Sequence, residues 1–230
     1  MMLKFGKAAA AAFLLIAAVA LPPASRAPAQ GNPERERDLV FAAERGEIRV
    51  VRELLAQGAR INWRDHRGRN ALLAATQRNQ LEVARFLIQE GADVNAKDLI
   101  QDTPFLLAGA EGRVELLKLM VPAGANLKDI NRFGGTALIP AAHRGHVEAV
   151  RYLLTTKIDK NHVNNLGWTA LLEAVVLGDG GPAHTEIVRL LVEAGADTSI
   201  GDRDRITPLE HAKKRGFTEI VRILSAAKPR

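Results

Sequence analysis

The chain of 230 residues contains no cysteine and only ten aromatic side chains. The absence of cysteine excludes a disulfide scaffold, thiol catalysis, a zinc site with Cys ligands and a lipoprotein anchored through Cys. Alanine, in contrast, occurs 37 times. A core with few aromatics and much alanine has to be built from small side chains in close contact. This composition favours closely packed helices over a β-sandwich or barrel, and the length is that of one or two domains.

The first 29 residues have the pattern of an export signal. Lys4 and Lys7 precede an uncharged apolar run over residues 8–21, and the small-residue triplet Ala27-Pro28-Ala29 follows it. This order predicts a secretory signal peptide over residues 1–29. An uncleaved membrane anchor is the alternative, but the run is short for a bilayer, which needs roughly 20 apolar residues as a helix. No twin-Arg pair precedes the run, which favours the general secretory route.

Loss of this segment changes the apparent charge of the protein. The formal net charge of +6 includes Lys4, Lys7 and Arg26, and without residues 1–29 the chain has 29 basic and 26 acidic residues. The remaining net charge of +3 gives no reason to expect a nucleic acid partner, which requires a clustered basic face. We expect an exported protein with no membrane span after cleavage, located in the periplasm or, alternatively, released into the medium.

A repeat of 33 residues organises the rest of the chain. A small residue recurs inside successive apolar segments, at Ala42, Ala75, Ala108, Ala141, Ala174 and Ala212, and only the last step is longer, at 38 residues. The apolar residue three positions earlier recurs with the same steps, at Leu39, Leu72, Phe105, Leu138, Leu171 and Leu209. Two columns that share one period predict a stack of structural repeats.

Helix signals occupy fixed positions in each repeat. Predicted N-caps of the first helix are Thr103, Thr136, Thr169 and Thr207. Pro104 and Pro208 suit the first helical position. A second helix, such as residues 81–89, has apolar side chains at helical spacing, and Gly91 follows it as a C-terminal stop. Each unit is therefore predicted to be a turn followed by two helices, and the recurrent alanine marks the close approach of helices from neighbouring units.

The repeats resemble the ankyrin repeat over residues 34–228. The segments that carry the resemblance are Thr103-Pro104-Phe105, Thr136-Ala137-Leu138, Thr169-Ala170-Leu171, Thr207-Pro208-Leu209, Gly145-His146-Val147-Glu148 and Gly91-Ala92-Asp93-Val94-Asn95. The resemblance implies an all-α solenoid of about six stacked helix-turn-helix units joined by hairpin-like turns. The units are expected at about 34–64, 65–97, 98–130, 131–163, 164–201 and 202–230. They form a repeat domain over 38–230 after a polar linker and N-cap start at 30–37.

One stretch departs from the period, because unit five holds five extra residues near Asp179–Ala183. This insertion is similar to that of a group of exported bacterial ankyrin proteins. It resembles neither a phosphate-binding loop nor a dinucleotide-binding fingerprint. A harmless insertion and a loop that contacts a partner or a cation both remain open.

In the ankyrin family, the turn tips and the first helices line a concave face that grips protein partners. Carried over residue by residue, the resemblance implies a protein partner bound by Trp63, Leu99, Ile100, Arg132, Phe133, Leu166, Trp168 and Glu173. Exposed aromatic side chains with nearby arginines are typical of binding hot spots. The alternative is that Phe133 and Trp168 fold back and pack on neighbouring turns.

Catalysis and metal binding have weaker support in the sequence. His143 and His146 are three residues apart, but a metal site needs ligands that converge, with second-shell support. Asp202 and Asp204 are interleaved with arginines, which favours a solvated turn over an acid–base pair. We therefore expect a monomeric, non-enzymatic interaction module without metal or cofactor. The alternatives are a secreted effector that binds a host protein, and a metal-binding or catalytic protein that uses His143 and His146 or the Asp179 region.

Overall fold

The computed structural model describes residues 32–227, so the predicted signal peptide at 1–29 and residues 228–230 lie outside the described residues. Within residues 32–227 the chain forms twelve α-helices and no strand. They are α1 (Pro33–Arg45), α2 (Ile48–Ala56), α3 (Ala71–Gln77), α4 (Leu81–Gln89), α5 (Pro104–Ala110), α6 (Val114–Met120), α7 (Leu138–His143), α8 (Val147–Leu154), α9 (Ala170–Val176), α10 (Pro182–Glu193), α11 (Pro208–Lys214) and α12 (Thr218–Ala226). None of these twelve helices has the length and apolar character needed to cross a bilayer.

The helices form two layers. The odd-numbered helices pack on one another in chain order from α1 to α11, and the even-numbered helices do the same from α2 to α12. Each odd-numbered helix also packs on the even-numbered helix that follows it. A single helix pair cannot bury its apolar side, whereas stacked pairs bury a core that continues from one unit to the next. The predicted all-α solenoid of about six helix-turn-helix units is confirmed.

The residues that recur with the 33-residue period form the buried core of the solenoid. The recurrent alanines are all fully buried, at Ala42, Ala75, Ala108, Ala141, Ala174 and Ala212. The apolar column is buried in the first five units, at Leu39, Leu72, Phe105, Leu138 and Leu171. Leu209 in the last unit is half-buried, since no further unit covers α11 within the described residues. The helices approach closely here, because a Cβ added to Gly109 would lie only 2.8 Å from the carbonyl oxygen of Ala137.

Substitution of a column alanine tests this packing. We expect Ala108→Leu to lower the free energy of unfolding by about 1–3 kcal/mol, because the longer side chain overpacks the contact of α5 with its neighbours. Ala226→Leu, on the exposed side of α12, is the matched control and should change stability by no more than about 0.5 kcal/mol. Thermal unfolding of the two variants measures the difference, and an unchanged melting temperature for Ala108→Leu would contradict the assigned register.

The first helix begins inside residues 30–37, the stretch predicted as a polar linker and N-cap start. α1 starts at Pro33, so most of the residues 30–37 assigned to a polar linker belong to a helix. Asn32 is its N-cap, and its side-chain oxygen accepts the backbone N–H groups of Glu34 and of the next residue. The polar composition that suggested a linker is that of a first helical turn, where the helix dipole favours Glu34 and Glu36.

Three of the four predicted threonine N-caps are present, at Thr103, Thr169 and Thr207. Thr136 is the exception, because α7 begins only at Leu138 and the buried Thr136 Oγ1 has no hydrogen-bond partner. Pro140 explains the difference. In units two, three, five and six the residue at this position donates its backbone N–H to the carbonyl of the capping residue, and proline has no N–H to donate. Ile139 N–H donates to the Thr136 carbonyl instead, at 3.2 Å, which closes a tighter turn.

Hydrogen bonds between units hold the turns in register. Leu99 N–H donates to the Arg67 carbonyl at 3.0 Å, and Asn165 N–H donates to the Phe133 carbonyl at 3.0 Å. In the loops after the second helices, the Asn95 side chain accepts a backbone N–H of the next unit at 2.8 Å and donates to a carbonyl of that unit at 3.1 Å. The turn tips are therefore fixed relative to one another as well as to their own helices.

Candidate functional site

Four apolar side chains stand exposed on consecutive turn tips, and we call them the tip ridge: Leu99, Ile100, Phe133 and Leu166. Their exposed fractions are 72%, 48%, 53% and 48%. Ile100, Phe133 and Leu166 occupy the same position in units three, four and five, so they form one row along the solenoid. Exposed large apolar side chains in a contiguous row are typical of protein interaction surfaces.

The shape of each tip is determined by the side chain that opens its turn. The Oδ1 atoms of Asp98, Asn131 and Asn164 each accept the backbone N–H groups of the residues two and four positions later. All six bonds are 2.9–3.0 Å long. Asp and Asn stabilise turns in this way because their short side chains reach the following backbone amides. The three tips therefore share one geometry and present their apolar residues in the same direction.

Below the tip ridge lies a cleft of about 280 Å³, here called the central cleft. Its apolar lining includes Phe133, Ile139, Pro140, Leu166 and Leu177. Its polar lining includes Asp102, Arg132, His143, Arg144, Asn164 and Glu173. The central cleft thus joins an exposed apolar rim to a set of ionisable side chains on the first helices.

Glu173, on α9, is a nearly buried carboxylate in the lining of this cleft, with 6% of its surface exposed. Its Oε1 accepts a hydrogen bond from Asn164 Nδ2 at 2.7 Å, and its Oε2 lies 3.5 Å from His143 Nδ1. Burial raises the pKa of Glu173 to about 7, although the hydrogen bond from Asn164 favours the ionised form. The cleft therefore contains an acid that ionises near neutral pH.

His143 is the basic side chain beside this carboxylate. Burial lowers the pKa of its imidazole, and the positive charges of Arg144 and His184 lower it further. Arg144 donates to the carbonyl of Ala110 and to the carboxylate of the adjacent residue rather than to Glu173.

A second carboxyl group on the cleft wall is also disfavoured as an anion. Burial raises the pKa of Asp102, and the neighbouring carboxylate of Asp98 raises it further, whereas Arg132 and Arg144 act in the opposite direction. Arg132 is exposed, with its guanidinium 4.6 Å from the centre of the Phe133 ring. The cleft therefore carries two arginines and two carboxyl groups whose ionisation burial opposes.

The position of Glu173 is apolar in units two to four, at Ala74, Leu107 and Pro140. In the last unit it is His211, whose Nε2 lies 2.7 Å from Asp202 Oδ2. In both units a side chain of the turn is therefore hydrogen-bonded to a side chain of the first helix. The pair is Asn164 and Glu173 in unit five, and Asp202 and His211 in unit six. The exposed turn around Asp202 is held by its own helix, which accords with a solvated turn rather than an acid–base pair.

The eight residues predicted from the sequence fall into three groups. Leu99, Ile100, Phe133 and Leu166 form the tip ridge, and Arg132 is exposed beside it. Trp63 and Trp168 are half-buried, so the exposed aromatic surface at the tips comes from Phe133. Trp63 also lies apart from the central cleft, beside a separate hollow lined by Arg60, Ile61 and Asn62. Glu173 lines the cleft but is buried, so a partner reaches it only through the cleft.

The two histidines considered as a metal pair do not converge. His143 lies beside Glu173, whereas His146 is at the N-cap of α8 and packs on the preceding unit, since a Cβ added to Gly112 would lie 2.6 Å from its ring. Burial lowers the pKa of His146. Over residues 32–227, no group of three or more His, Asp or Glu side chains is arranged to hold a metal ion.

The insertion in unit five is closed by its own side chains. Asp179 Oδ1 accepts the Gly181 N–H at 2.8 Å and lies 2.8 Å from His184 Nδ1. The other ring nitrogen of His184 lies 2.9 Å from the His143 carbonyl oxygen, which ties the insertion to unit four. Helix α10 begins within the inserted residues, at Pro182. A partner or cation contact of this loop stays a prediction.

One buried network on the first two units was not found from the sequence. Arg69, only 3% exposed, donates to Asp65 Oδ2 at 2.9 Å, to Glu44 Oε2 at 3.2 Å and to Gln77 Oε1 at 2.6 Å. The four-residue spacing of Asp65 and Arg69 across the turn was the available signal. Glu44 comes from the preceding unit, so only the stacking of units brings it to Arg69.

Comparison with known proteins agrees with this architecture. The family profile described as "Ankyrin repeats (3 copies)" matches residues 7–98 and 105–202, well over half of the chain. A crystal structure of an ankyrin repeat domain from Acinetobacter baumannii AYE is 50% identical in sequence, with a TM-score of 0.82, and the match covers 85% of this chain and 100% of that one. The ankyrin repeat protein EF0377 is 40% identical, with a TM-score of 0.80, over 83% of this chain and 97% of its own.

A curated relative matches over a shorter stretch. The ankyrin repeat protein YahD from Escherichia coli (strain K12) is 51% identical over 55 residues. That stretch is 24% of this chain and 27% of the length of YahD.

The stacked helix pairs, the turn tips and the matches together define a repeat scaffold of the helical solenoid class. The chain belongs to the ankyrin repeat family. Ankyrin repeats are typically non-enzymatic modules for protein–protein interaction, and protein binding is the class of function that this chain's repeats indicate.

Proposed function

We propose that this protein is a monomeric, non-enzymatic scaffold that acts outside the cytoplasm and binds a protein partner through its tip ridge and central cleft. The observation that carries the proposal is the row of exposed apolar side chains at equivalent positions of three consecutive units, Ile100, Phe133 and Leu166. Water contact with such a row is unfavourable, and a partner that covers it gains the free energy of apolar burial.

The rigidity of the tips supports the same function. Each tip is held by two hydrogen bonds to its opening Asp or Asn side chain, and a backbone hydrogen bond from Asn165 to Phe133 joins the tips of units four and five. A surface that is already ordered loses little conformational entropy when it binds. The helical stack thus displays the tip ridge in one geometry, as a preorganised binding face requires.

The location outside the cytoplasm rests on the amino-terminal sequence. Lys4 and Lys7, the apolar run at 8–21 and the triplet Ala27-Pro28-Ala29 are in the order of a secretory signal. Cell fractionation, with sequencing of the mature amino terminus, distinguishes a periplasmic protein from one released into the medium. Release into the medium would favour the alternative of a secreted effector.

Substitution at the tip ridge tests the binding face. In the double variant Phe133→Ser and Leu166→Ser, we expect capture of the partner from envelope extracts to weaken by about tenfold or more, because hot-spot side chains contribute about 2 kcal/mol or more each. Helical content measured by circular dichroism should stay unchanged, since both side chains are exposed. Quantitative capture with the immobilised protein gives the comparison.

The matched control is Val50→Ser, which removes an exposed apolar side chain from α2, in the other helix layer. It should capture the partner as the unchanged protein does. Equal capture by all three proteins would show that the binding face is assigned to the wrong side of the solenoid.

A further inference from the structure

The central cleft contains a buried carboxylate that no lysine or arginine of the described residues pairs with. Within residues 32–227, two glutamates are nearly or fully buried, Glu36 and Glu173. Two guanidinium nitrogens of Arg60 bind the carboxylate of Glu36. Glu173 accepts its hydrogen bond from Asn164, which is a neutral amide. Burial of a carboxylate is costly unless a cation pairs with it.

In the first two units, carboxylates near the first helices are paired with a buried arginine. Asp65 and Glu44 share the guanidinium of Arg69, which is itself buried. Units four and five contain no equivalent arginine, because the position of Arg69 is Gly135 in unit four and Trp168 in unit five. The arginine that pairs with carboxylates in the first two units is therefore absent from the equivalent positions beside Glu173.

The helices packed on α9 do not supply that charge. α7, α10 and α11 pack on α9, and His143 of α7 is the ionisable group beside Glu173. The other basic groups on these helices or at their ends are engaged elsewhere or exposed: Arg144 with Glu111, His184 with Asp179, Arg189 with Glu186, His211 with Asp202, Arg215 with the Val176 and Gly178 carbonyls, and Lys213 and Lys214 in solvent. Among residues 32–227, the group that opposes the effect of burial on the pKa of Glu173 is the neutral amide of Asn164.

The cleft has the form that a long basic side chain requires. Its walls at Phe133, Leu166 and Leu177 are apolar, and its volume of about 280 Å³ exceeds that of one large side chain. Lysine and arginine carry an apolar stem and a cationic head, so they bury the stem along apolar surface when the head reaches an acid. Glu173 Oε2 is the acceptor for that head, because Asn164 already occupies Oε1 and the nearest basic group to Oε2 is His143 Nδ1 at 3.5 Å.

We propose that the central cleft binds one basic side chain, lysine or arginine, of the protein partner, with its stem between Phe133 and Leu166 and its cationic head on Glu173. This inference rests on the proposed function, since it names the chemistry of the partner at that face. Of the two arginines at the cleft, Arg144 pairs with Glu111, and the guanidinium of Arg132 lies over the Phe133 ring. Asp102, which also lines the cleft, adds a second carboxyl group.

A small probe tests the cleft without knowledge of the partner. The probe is N-acetyl-argininamide, and its matched control is N-acetyl-citrullinamide, which has nearly the same shape but no charge. Methyl resonances of Leu166 and Leu177 in the purified protein report binding by NMR. At about pH 8 we expect saturable shifts with the arginine probe and about tenfold or more weaker binding of the citrulline probe, because a hydrogen bond to a charged group is lost.

Two variants and a second pH complete the test. Glu173→Gln, and the unchanged protein at about pH 5, should each bind the arginine probe about tenfold or more weakly, since the carboxylate is then absent or protonated. Glu90→Gln, which removes an exposed carboxylate at the end of α4, should bind it as the unchanged protein does. Equal binding of both probes, binding unaffected by Glu173→Gln, or no binding at all would each overturn the inference.

The two proposals fail separately. If the tip-ridge variants lose the partner but the arginine probe does not bind, the proposed function stands and only the basic side chain is excluded. If the probe binds at Glu173 but the tip-ridge variants capture the partner normally, the proposed binding face is wrong, and the cleft has no part in partner binding.

Discussion

Replacement of Glu173 with glutamine is expected to raise the free energy of unfolding by about 3 kcal/mol above about pH 8 and to change it little near pH 4. The reason is the pKa of Glu173, which burial raises from 4.5 to about 7. Glutamine retains an oxygen that accepts the hydrogen bond of Asn164, but it never carries the buried charge. Most single substitutions destabilise a protein, so a gain of this size would be distinctive.

The sign follows from proton linkage. Glu173 binds its proton more tightly in the folded state than in the unfolded state, so its contribution to stability is lost as the pH rises from 4.5 to about 7. Below 4.5 the carboxyl is protonated in both states, and above about 7 the full penalty applies. The unchanged protein should therefore become less stable over this interval relative to Glu173→Gln.

Denaturant unfolding across this pH range measures the effect. The matched control is Glu90→Gln, which removes an exposed carboxylate and should follow the unchanged protein at every pH. If the curves of the unchanged protein and Glu173→Gln run parallel, the carboxylate is not buried as described. A basic side chain bound in the central cleft should reduce the difference, because it supplies the missing cation.

Substitution of Arg69 is expected to have the opposite effect. Arg69→Met should lower the free energy of unfolding by about 3 kcal/mol or more, because the carboxylates of Asp65 and Glu44 lose their shared buried cation. Burial alone would raise the pKa of Asp65, but hydrogen bonds from the backbone and side chain of Arg69 outweigh burial and hold it below its ordinary value. Methionine fills similar space, so the loss reflects charge rather than a cavity.

Arg78→Met is the control, because Arg78 bonds the same Glu44 at 3.3 Å from an exposed position. An exposed ion pair contributes about 0–1 kcal/mol, so this variant should unfold nearly as the unchanged protein does. The difference should also depend on pH. A carboxyl with a lowered folded-state pKa stabilises the protein above its unfolded value, so the loss in Arg69→Met should shrink as the pH falls below 3.8. Equal effects of the two substitutions would contradict a buried network.

Much of the fold was predictable because most repeats carry the same residue types at the positions that form the core and the helix caps. The alanine column, the apolar column and three of the threonine caps lie where the period places them. The prediction of helix caps was wrong in unit four, where a proline lies four residues after the expected capping threonine. Pro140 has no N–H to donate to the Thr136 carbonyl, so Thr136 does not cap α7.

The candidate site was predictable only in part, for a related reason. Position within the repeat identified the tips, and Ile100, Phe133 and Leu166 are exposed there. Aromatic character suggested Trp168 and Trp63 as well, but both are half-buried, and no property of a single residue type reveals how far a tip side chain is covered by the next unit. Glu173 was expected on the binding face as an accessible side chain, and the structure places it in the cleft lining beneath that face.

The sequence by itself determined the family, the number of units, the buried columns and the row of tips, because these follow from a period that each unit repeats with its own residues. The tertiary structure alone decided the chemistry between units. Arg69 meets Glu44, and Glu173 meets His143, across a boundary between two stacked units. A buried carboxylate is paired with a cation only if the neighbouring unit supplies one, and the residues at these contacts differ from one unit to the next.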